Sequence, residues 1–219
     1  MQEFFPDQRP KASLTPAART NLWPLTALGY EVWRQRALTL LSGRAFPLQE
    51  ELLLMLKRVQ PVDGQVFLDL GTSTGLYARA LLEAGAAKVY ALDLSPAMLK
   101  VALRKAKGYR GFVPLLALAE AIPLPQASVD GVVVGGSWNE FPNPQAVVSE
   151  IYRVLRAGGR IWVMFAHRSE SPLQRLLERA GLCFPTLLEL EEALSKSGFA
   201  VDGWREGSVG FVAGTKVTT

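Results

Sequence analysis

The sequence predicts an α/β domain built on a mostly parallel seven-stranded sheet, with helices on both faces and an antiparallel strand at the C-terminus. Three observations carry this. From Gln65 onward short apolar runs alternate with stretches of helical periodicity, the pattern of strand–helix–strand units that wind a parallel sheet. Most of the runs are nearly continuously apolar, as strands covered on both faces require. The last two, 200–205 and 209–215, are separated only by Glu206-Gly207-Ser208, the spacing of a hairpin, so one strand reverses.

Residues 1–20 carry Pro6, Pro10 and Pro16 and little periodicity, which reads as an extended or mobile arm. Residues 25–42 read as a helix stopped at Gly43. Pro47 suits the first turn of a second helix, with Leu48, Leu52 and Leu56 on one face. Asp63-Gly64 is a turn. Val66–Leu70 is a strand, followed by a helix from about Gly75 to Glu83. Lys88–Leu92 is a strand, and a helix begins near Pro96. Phe112–Leu118 and Val129–Gly135 are strands. Asn143-Pro144 opens a helix with Val147, Val148, Ile151 and Leu155 on its apolar face, which Gly158-Gly159 is expected to end before the strand Arg160–Phe165. The division expected is 1–60, an N-terminal arm and two helices, and 61–219, the core domain.

Of 219 residues, 49% are hydrophobic, enough for a core and too many for global disorder. A single cysteine excludes an intramolecular disulfide and a cysteine zinc cluster, and a single histidine excludes a two-histidine site; no metal is expected. No apolar run approaches the ~18 residues of a membrane span, and Met1–Asp7 lacks a secretory signal, so a cytoplasmic protein without a membrane span is expected. The net charge of +4 is spread along the chain. Its densest cluster, Lys100, Arg104, Lys105, Lys107 and Arg110, reads as a solvated helix face, so no nucleic acid is expected as partner.

The chemistry lies in Asp69-Leu70-Gly71-Thr72-Ser73-Thr74-Gly75, where a strand ends and a helix begins. Ligands of open α/β sheets bind outside the carboxyl ends of strands, and glycines let backbone approach them closely. Asp93, at the end of the next strand, can accept hydrogen bonds from ribose hydroxyls. Together these indicate a nucleoside-containing cofactor. A dinucleotide fingerprint would need a further glycine where Ser73 stands. Gly71-Thr72-Ser73-Thr74-Gly75 also matches G-x-S-x-G, with Asp130 and His167 following in hydrolase order, but that elbow would fall on the first strand of the sheet. The third reading also explains Asp69, an acid placed to hold a cationic amino-acid group.

The Asp69–Gly75 motif and the acid at Asp93 resemble those of the class I S-adenosylmethionine-dependent methyltransferases. Asp93–Leu99, Ala119–Leu124, Ser128–Val134 and Glu150–Arg160 are similar to that family's later segments, in order, over residues 65–165. The flavour is that of its ubiquinone/menaquinone-methyltransferase-like branch. The resemblance implies a Rossmann-like fold and S-adenosylmethionine as cofactor, with S-adenosylhomocysteine as product. It implies that Asp69, Gly71, Thr72, Ser73 and Gly75 meet the methionine part, that Asp93 holds the ribose, and that Leu94, Met98, Ala119 and Glu120 flank the adenine. Gly136 lies in the segment expected to face the transferred methyl. Residues 1–60 would then contain a lid, with Tyr30, Trp33 and Trp138 as candidate walls for a small-molecule acceptor. His167 and Glu140 are the candidate bases. Two residues depart from the pattern: Ser73 replaces a usual glycine, and Leu118 stands where many members carry an acid. They motivate an alternative, a cofactor-binding but catalytically idle interaction protein. A monomer or homodimer is expected. Asp93, as an acid at the rim of the sheet, is expected to serve binding more than stability.

Overall fold

A computed structural model describes residues 24–218, and of residues 24–30, 32 and 33 the backbone only. Seven strands form one sheet in the order β3-β2-β1-β4-β5-β7-β6. They are β1 (Val66–Leu70), β2 (Lys88–Asp93), β3 (Phe112–Leu116), β4 (Val129–Gly135), β5 (Leu155–Ala166), β6 (Phe199–Glu206) and β7 (Val209–Lys216). β1 to β5 pair in parallel, and β7 is antiparallel to both β5 and β6. The chain moves outward from β1 to β3 and returns to place β4 on the other side of β1. This reversal opens a crevice at the carboxyl ends of β1 and β4.

Alternate residues of each strand face opposite ways. Phe67, Val89, Ala91, Val133, Trp162 and Met164 pack with α1 (Pro24–Ser42), α2 (Leu48–Arg58) and α3 (Leu76–Glu83). Leu68, Leu70, Val132, Val134, Val163 and Phe165 pack in the opposite core with α5 (Pro144–Val154) and α7 (Leu187–Lys196). α4 (Pro96–Lys105) lies against β2, β3 and α1.

Two parts differ from the sequence reading. α5 ends at Val154, and Gly158-Gly159 lie inside β5. The register of β5 on β4 shifts between Val129 and Gly131. There a Cβ on Gly159 would stand 2.8 Å from Leu155 Cδ2 and 3.1 Å from the Asp130 carbonyl oxygen, so the glycine serves a crowded strand irregularity. The end of α5 is closed from afar: the Lys216 ammonium donates to the carbonyls of Tyr152 (2.6 Å) and Leu155 (2.8 Å), a cation on a helix C-terminus. Second, α6 (Pro172–Arg179) and α7 fill a segment for which the sequence reading names no element. α7 begins with a capping box between Thr186 and Glu189.

Gly131 explains itself by packing. A Cβ there would lie 2.2 Å from Cε1 of buried Phe67. Gly131→Ala is expected to lower stability by about 1–3 kcal/mol. Adding Phe67→Leu should recover part of the loss, giving clear non-additivity in urea unfolding. An unchanged midpoint for Gly131→Ala would contradict this packing.

Candidate functional site

The turn after β1 is wound by positive φ angles at Gly71 (71°), Ser73 (51°) and Gly75 (79°). The N–H groups of Gly71 and Thr72 donate to the Leu92 carbonyl at 2.9 and 2.8 Å, tying the turn to β2. Gly71 must be glycine for a second reason: a Cβ would fall 2.3 Å from Ser137 Oγ, whose hydroxyl donates to the Leu70 carbonyl. Ser73 is the non-glycine residue in this left-handed stretch, a conformation that costs roughly 1–2 kcal/mol. Its N–H donates to Asp93 at 2.8 Å, and its hydroxyl meets Met98 Sδ at 3.5 Å.

Two buried carboxylates flank the turn. One oxygen of Asp69 accepts from the Thr72 hydroxyl (2.6 Å) and the Ala78 N–H (3.0 Å). Burial pushes its pKa up to about 6, against the lowering by these donors and by the Arg34 charge. The two oxygens of Asp93 accept from the N–H groups of Ser73 and Ser95, each at 2.8 Å. Burial pushes Asp93 up to about 6 as well, opposed by backbone donors at Ser95, Ser73 and Leu94. Asp93 is only 9% exposed. The expectation of a rim acid with little structural weight is therefore corrected: this carboxylate joins the β1–α3 turn to the β2–α4 turn, and removing it would orphan two N–H groups.

α1 closes over the turn. Glu31 accepts the Thr74 hydroxyl at 2.8 Å and pairs with Arg79 at 3.0 Å and Lys105 at 2.8 Å. One helical turn on, Arg34 donates to the Gly135 carbonyl at 2.5 Å and pairs with Glu51 of α2. The Tyr77 hydroxyl also donates to Glu51; burial and the Glu51 charge hold that phenol well above its ordinary pKa. Between Arg34, Asp69, Thr72, Ser73, Tyr77 and Gly135 remains a cavity of about 10 Å³, the room of a single water.

The remaining sequence-predicted residues fall in several places. Met98 is buried beside Ser73, at the end of the cavity turn, and Leu94 is half-buried next to Asp93. Ala119 is a core residue, and Glu120 accepts the Asn143 N–H at 3.4 Å. Gly136, with φ 84°, starts the 3₁₀ turn Ser137–Glu140, in which Glu140 is half-buried. Trp138 is 2% exposed and meets Phe141 edge-on at 5.8 Å. It packs in the core on the face of the sheet away from α1 and does not line the Arg34–Asp69 cavity. His167, half-buried at the end of β5, has Nδ1 2.8 Å from the Arg168 carbonyl oxygen and does not line the cavity. The side chains of Tyr30 and Trp33 lie outside the described residues.

The hydrolase arrangement is not formed. Asp130 accepts the Val66 N–H at 2.8 Å and pairs with Arg156. That puts it at the opposite end of β1 from Ser73, roughly 13 Å away along the strand by the rise per residue. Two residues escape the sequence reading. Asn139 donates to the carbonyls of Ala166 and Cys183 and accepts the Ala166 N–H, pinning the end of β5. Glu51 sits four residues before buried Met55; a charge on the apolar face of an amphipathic helix was its available signal.

Comparison with known proteins agrees with the motifs. Residues 68–163 match the methyltransferase domain family. An uncharacterized methyltransferase of Mycobacterium tuberculosis is 41% identical over 110 residues, 50% of this chain and 43% of that protein. The demethylmenaquinone methyltransferase of Thermus thermophilus is 39% identical over 99 residues, 44% of this chain and 45% of that one. The chain thus spans about half the length of the curated relatives it matches. In fold, it is similar to a Haemonchus contortus phosphoethanolamine N-methyltransferase solved with S-adenosylhomocysteine: TM-score 0.73 at 19% identity, covering 90% of this chain and 60% of the other. Residues 68–163 thus match a methyltransferase domain family, and the Asp69–Gly75 and Asp93 motifs within them resemble those of the class I, S-adenosylmethionine-dependent kind.

Proposed function

We propose that the protein transfers a methyl group from S-adenosylmethionine to a small-molecule acceptor carrying an oxygen, nitrogen or carbon nucleophile. The observation that carries this is the pair of desolvated carboxylates, Asp69 and Asp93, set on either side of one tight turn at the switch point of the sheet. A buried carboxylate is costly unless a cation or hydrogen-bond donors meet it. An amino-acid ammonium suits Asp69, and ribose hydroxyls suit the lone pairs of Asp93 that the backbone leaves. The pyrophosphate of a dinucleotide would face the Asp69 charge instead.

When bound, the cofactor supplies an electrophilic methyl on a sulfonium. The chain's part is then to hold and align. Thr72 and the Ala78 N–H fix one Asp69 oxygen, so the carboxylate cannot rotate away. Ser73 and Ser95 do the same for Asp93. Ser137, bonded to the Leu70 carbonyl, keeps the β4 loop beside the turn. α1 lies against the turn through Glu31 and Arg34, and shielding from water there would protect a reactive sulfonium from hydrolysis. The reading places the rate gain in alignment of atoms held ~3–3.5 Å apart. His167 and Glu140 stay proposed proton acceptors, reached only by an acceptor that extends beyond the cavity. The small-molecule acceptor is supported by the modest, spread charge, which offers no groove for a polyanion. The alternative, binding without turnover, is supported by how little room the cavity leaves.

Two outcomes are expected. In isothermal titration, S-adenosylmethionine and S-adenosylhomocysteine bind and NAD does not; heat on NAD alone would contradict the reading. Asp69→Asn keeps an oxygen for both Thr72 and Ala78 but removes the charge. It should weaken S-adenosylhomocysteine binding by roughly 10- to 150-fold. It should also stabilise the free protein in a pH-dependent way. Asp69 rises from 3.8 to about 6 on folding, so the native chain holds an extra proton between those values. Its favourable contribution is complete below 3.8 and is lost as pH rises through 6. The advantage of Asp69→Asn over wild type should therefore grow from pH 4 to about 6 and level off at about 2–3 kcal/mol. A difference independent of pH would contradict the buried placement.

A further inference from the structure

We propose that the cleft between the 3₁₀ turn Ser137–Glu140 and the start of α7 is a ligand site of its own, one that takes an uncharged aromatic compound carrying a carbonyl oxygen. The cleft holds about 240 Å³, the room of roughly eight waters. It shares no lining residue with the Arg34–Asp69 cavity, so it stands apart from the cofactor reading.

Burial and shape give the apolar part of the ligand. Trp138, Phe184 and Leu190 form the buried floor. Pro144, which starts α5, and Ala193, one turn beyond Leu190 on α7, form half-buried sides. An apolar body laid on this surface removes it from water at a gain, and the indole and phenyl rings favour a flat ring as neighbour. The space is also pre-formed. The Asn139 side chain donates to the Cys183 carbonyl at 2.7 Å, and the Cys183 N–H donates to the Asn139 carbonyl at 2.8 Å. Residues 183–186 are thereby fastened to the turn that carries Trp138, and they run directly into the capping box of α7. A site held open in this way loses little ordering entropy on binding.

Hydrogen-bond partners give the polar part. The carbonyls that border the cleft are already engaged. Trp138 accepts the Phe141 N–H, Cys183 accepts Asn139, Phe184 accepts Arg168 Nε at 3.0 Å, and Pro185 accepts the Arg168 N–H at 3.1 Å. Both Glu189 oxygens are engaged too, one by Arg168 Nη1 at 2.9 Å and the other by the Thr186 N–H at 2.7 Å. Arg168 Nη2 keeps its N–H groups, without a partner among the described residues. The mouth thus offers donors where its acceptors are spent, and the ligand must accept. Glu189 already balances the Arg168 charge, so an added carboxylate would lie beside an acid and gain little. A carbonyl oxygen on an aromatic body meets both conditions. The turn itself is shared: the Ser137 hydroxyl holds the Leu70 carbonyl, while Trp138, the next residue, floors the cleft.

The test is equilibrium dialysis of the full chain, without cofactor, against three probes. They are 2-acetylnaphthalene, 2-ethylnaphthalene, which has a similar shape and no oxygen, and 2-naphthoate, which is charged. The chains are wild type, Ala193→Phe, which fills the cleft, and Arg168→Met, which removes the donor; thermal unfolding checks that each is folded. Wild type should bind a single equivalent of 2-acetylnaphthalene, roughly 2- to 10-fold more tightly than 2-ethylnaphthalene, and should bind 2-naphthoate less tightly than the ketone. Arg168→Met should erase the preference for the ketone, and Ala193→Phe should remove saturable binding of both. Arg168 sits in a half-exposed ion pair of little worth to stability, so Arg168→Met keeps the test open should Ala193→Phe not fold. Tighter binding of 2-naphthoate would overturn the ligand class, and binding that survives Ala193→Phe would overturn the site. Equal affinity for ketone and hydrocarbon, a preference that survives Arg168→Met, or no saturable binding by wild type would each overturn the proposal.

Discussion

The carboxyl end of this sheet is organised by the need to satisfy charge out of water. Asp93 spends both oxygens on backbone N–H groups of two different turns, and this cross-link fixes where the chain leaves β1 and β2. Asp69 spends one oxygen on Thr72 and on the first turn of α3. Neither arrangement is stable as a free surface turn would be: each carboxylate is pushed up to about 6 by burial. A fold that tolerates two such groups side by side carries a cost that a cationic, hydroxyl-rich ligand offsets. The same constraint shapes the helices above. Arg34, Glu51 and Tyr77 form a linked set that reaches the Gly135 carbonyl and the Trp162 indole N–H, and α1 and α2 are held on the sheet through it.

How far this was legible depends on the range of the interaction. β1 and β4 are read from the sequence at their observed limits, Val66–Leu70 and Val129–Gly135, because each is a buried run ended by turn residues. The reversed β7 is read from the three-residue gap before it. Local signals misled at Gly158-Gly159, where a helix stop was expected. Gly159 instead serves the crowding of β5 on β4, a contact with a residue almost thirty positions earlier, and Gly158 takes a positive φ of 73° in open space. α7 had a local signal in Thr186 and Glu189, whereas α6, eight residues long with Leu173 and Leu176 exposed, gave no buried stripe to read. In the site, the Asp69–Gly75 turn and Asp93 were legible because the motif is contiguous. The bond from Ser73 to Asp93 was not, nor the Arg34–Glu51 pair, since each joins separate elements. Trp138 shows the limit of reading a site from neighbours in sequence: its position follows a functional loop, while its side chain completes the core.

Fold alone would not assign an activity, since sheets of this order host many chemistries. What narrows it is the combination of a matched domain, a glycine turn closed by two desolvated acids, and a cation set opposite them. The central claim is that these acids recognise the amino-acid and ribose parts of one ligand. The most direct measurement is a crystal structure of the chain with S-adenosylhomocysteine. The account predicts the ligand nitrogen within hydrogen-bond distance of Asp69, the ribose hydroxyls on Asp93, and Arg34 still paired with Glu51. A ligand bound away from the β1–α3 turn, with Asp69 still contacting Thr72 and Ala78 alone, would contradict it.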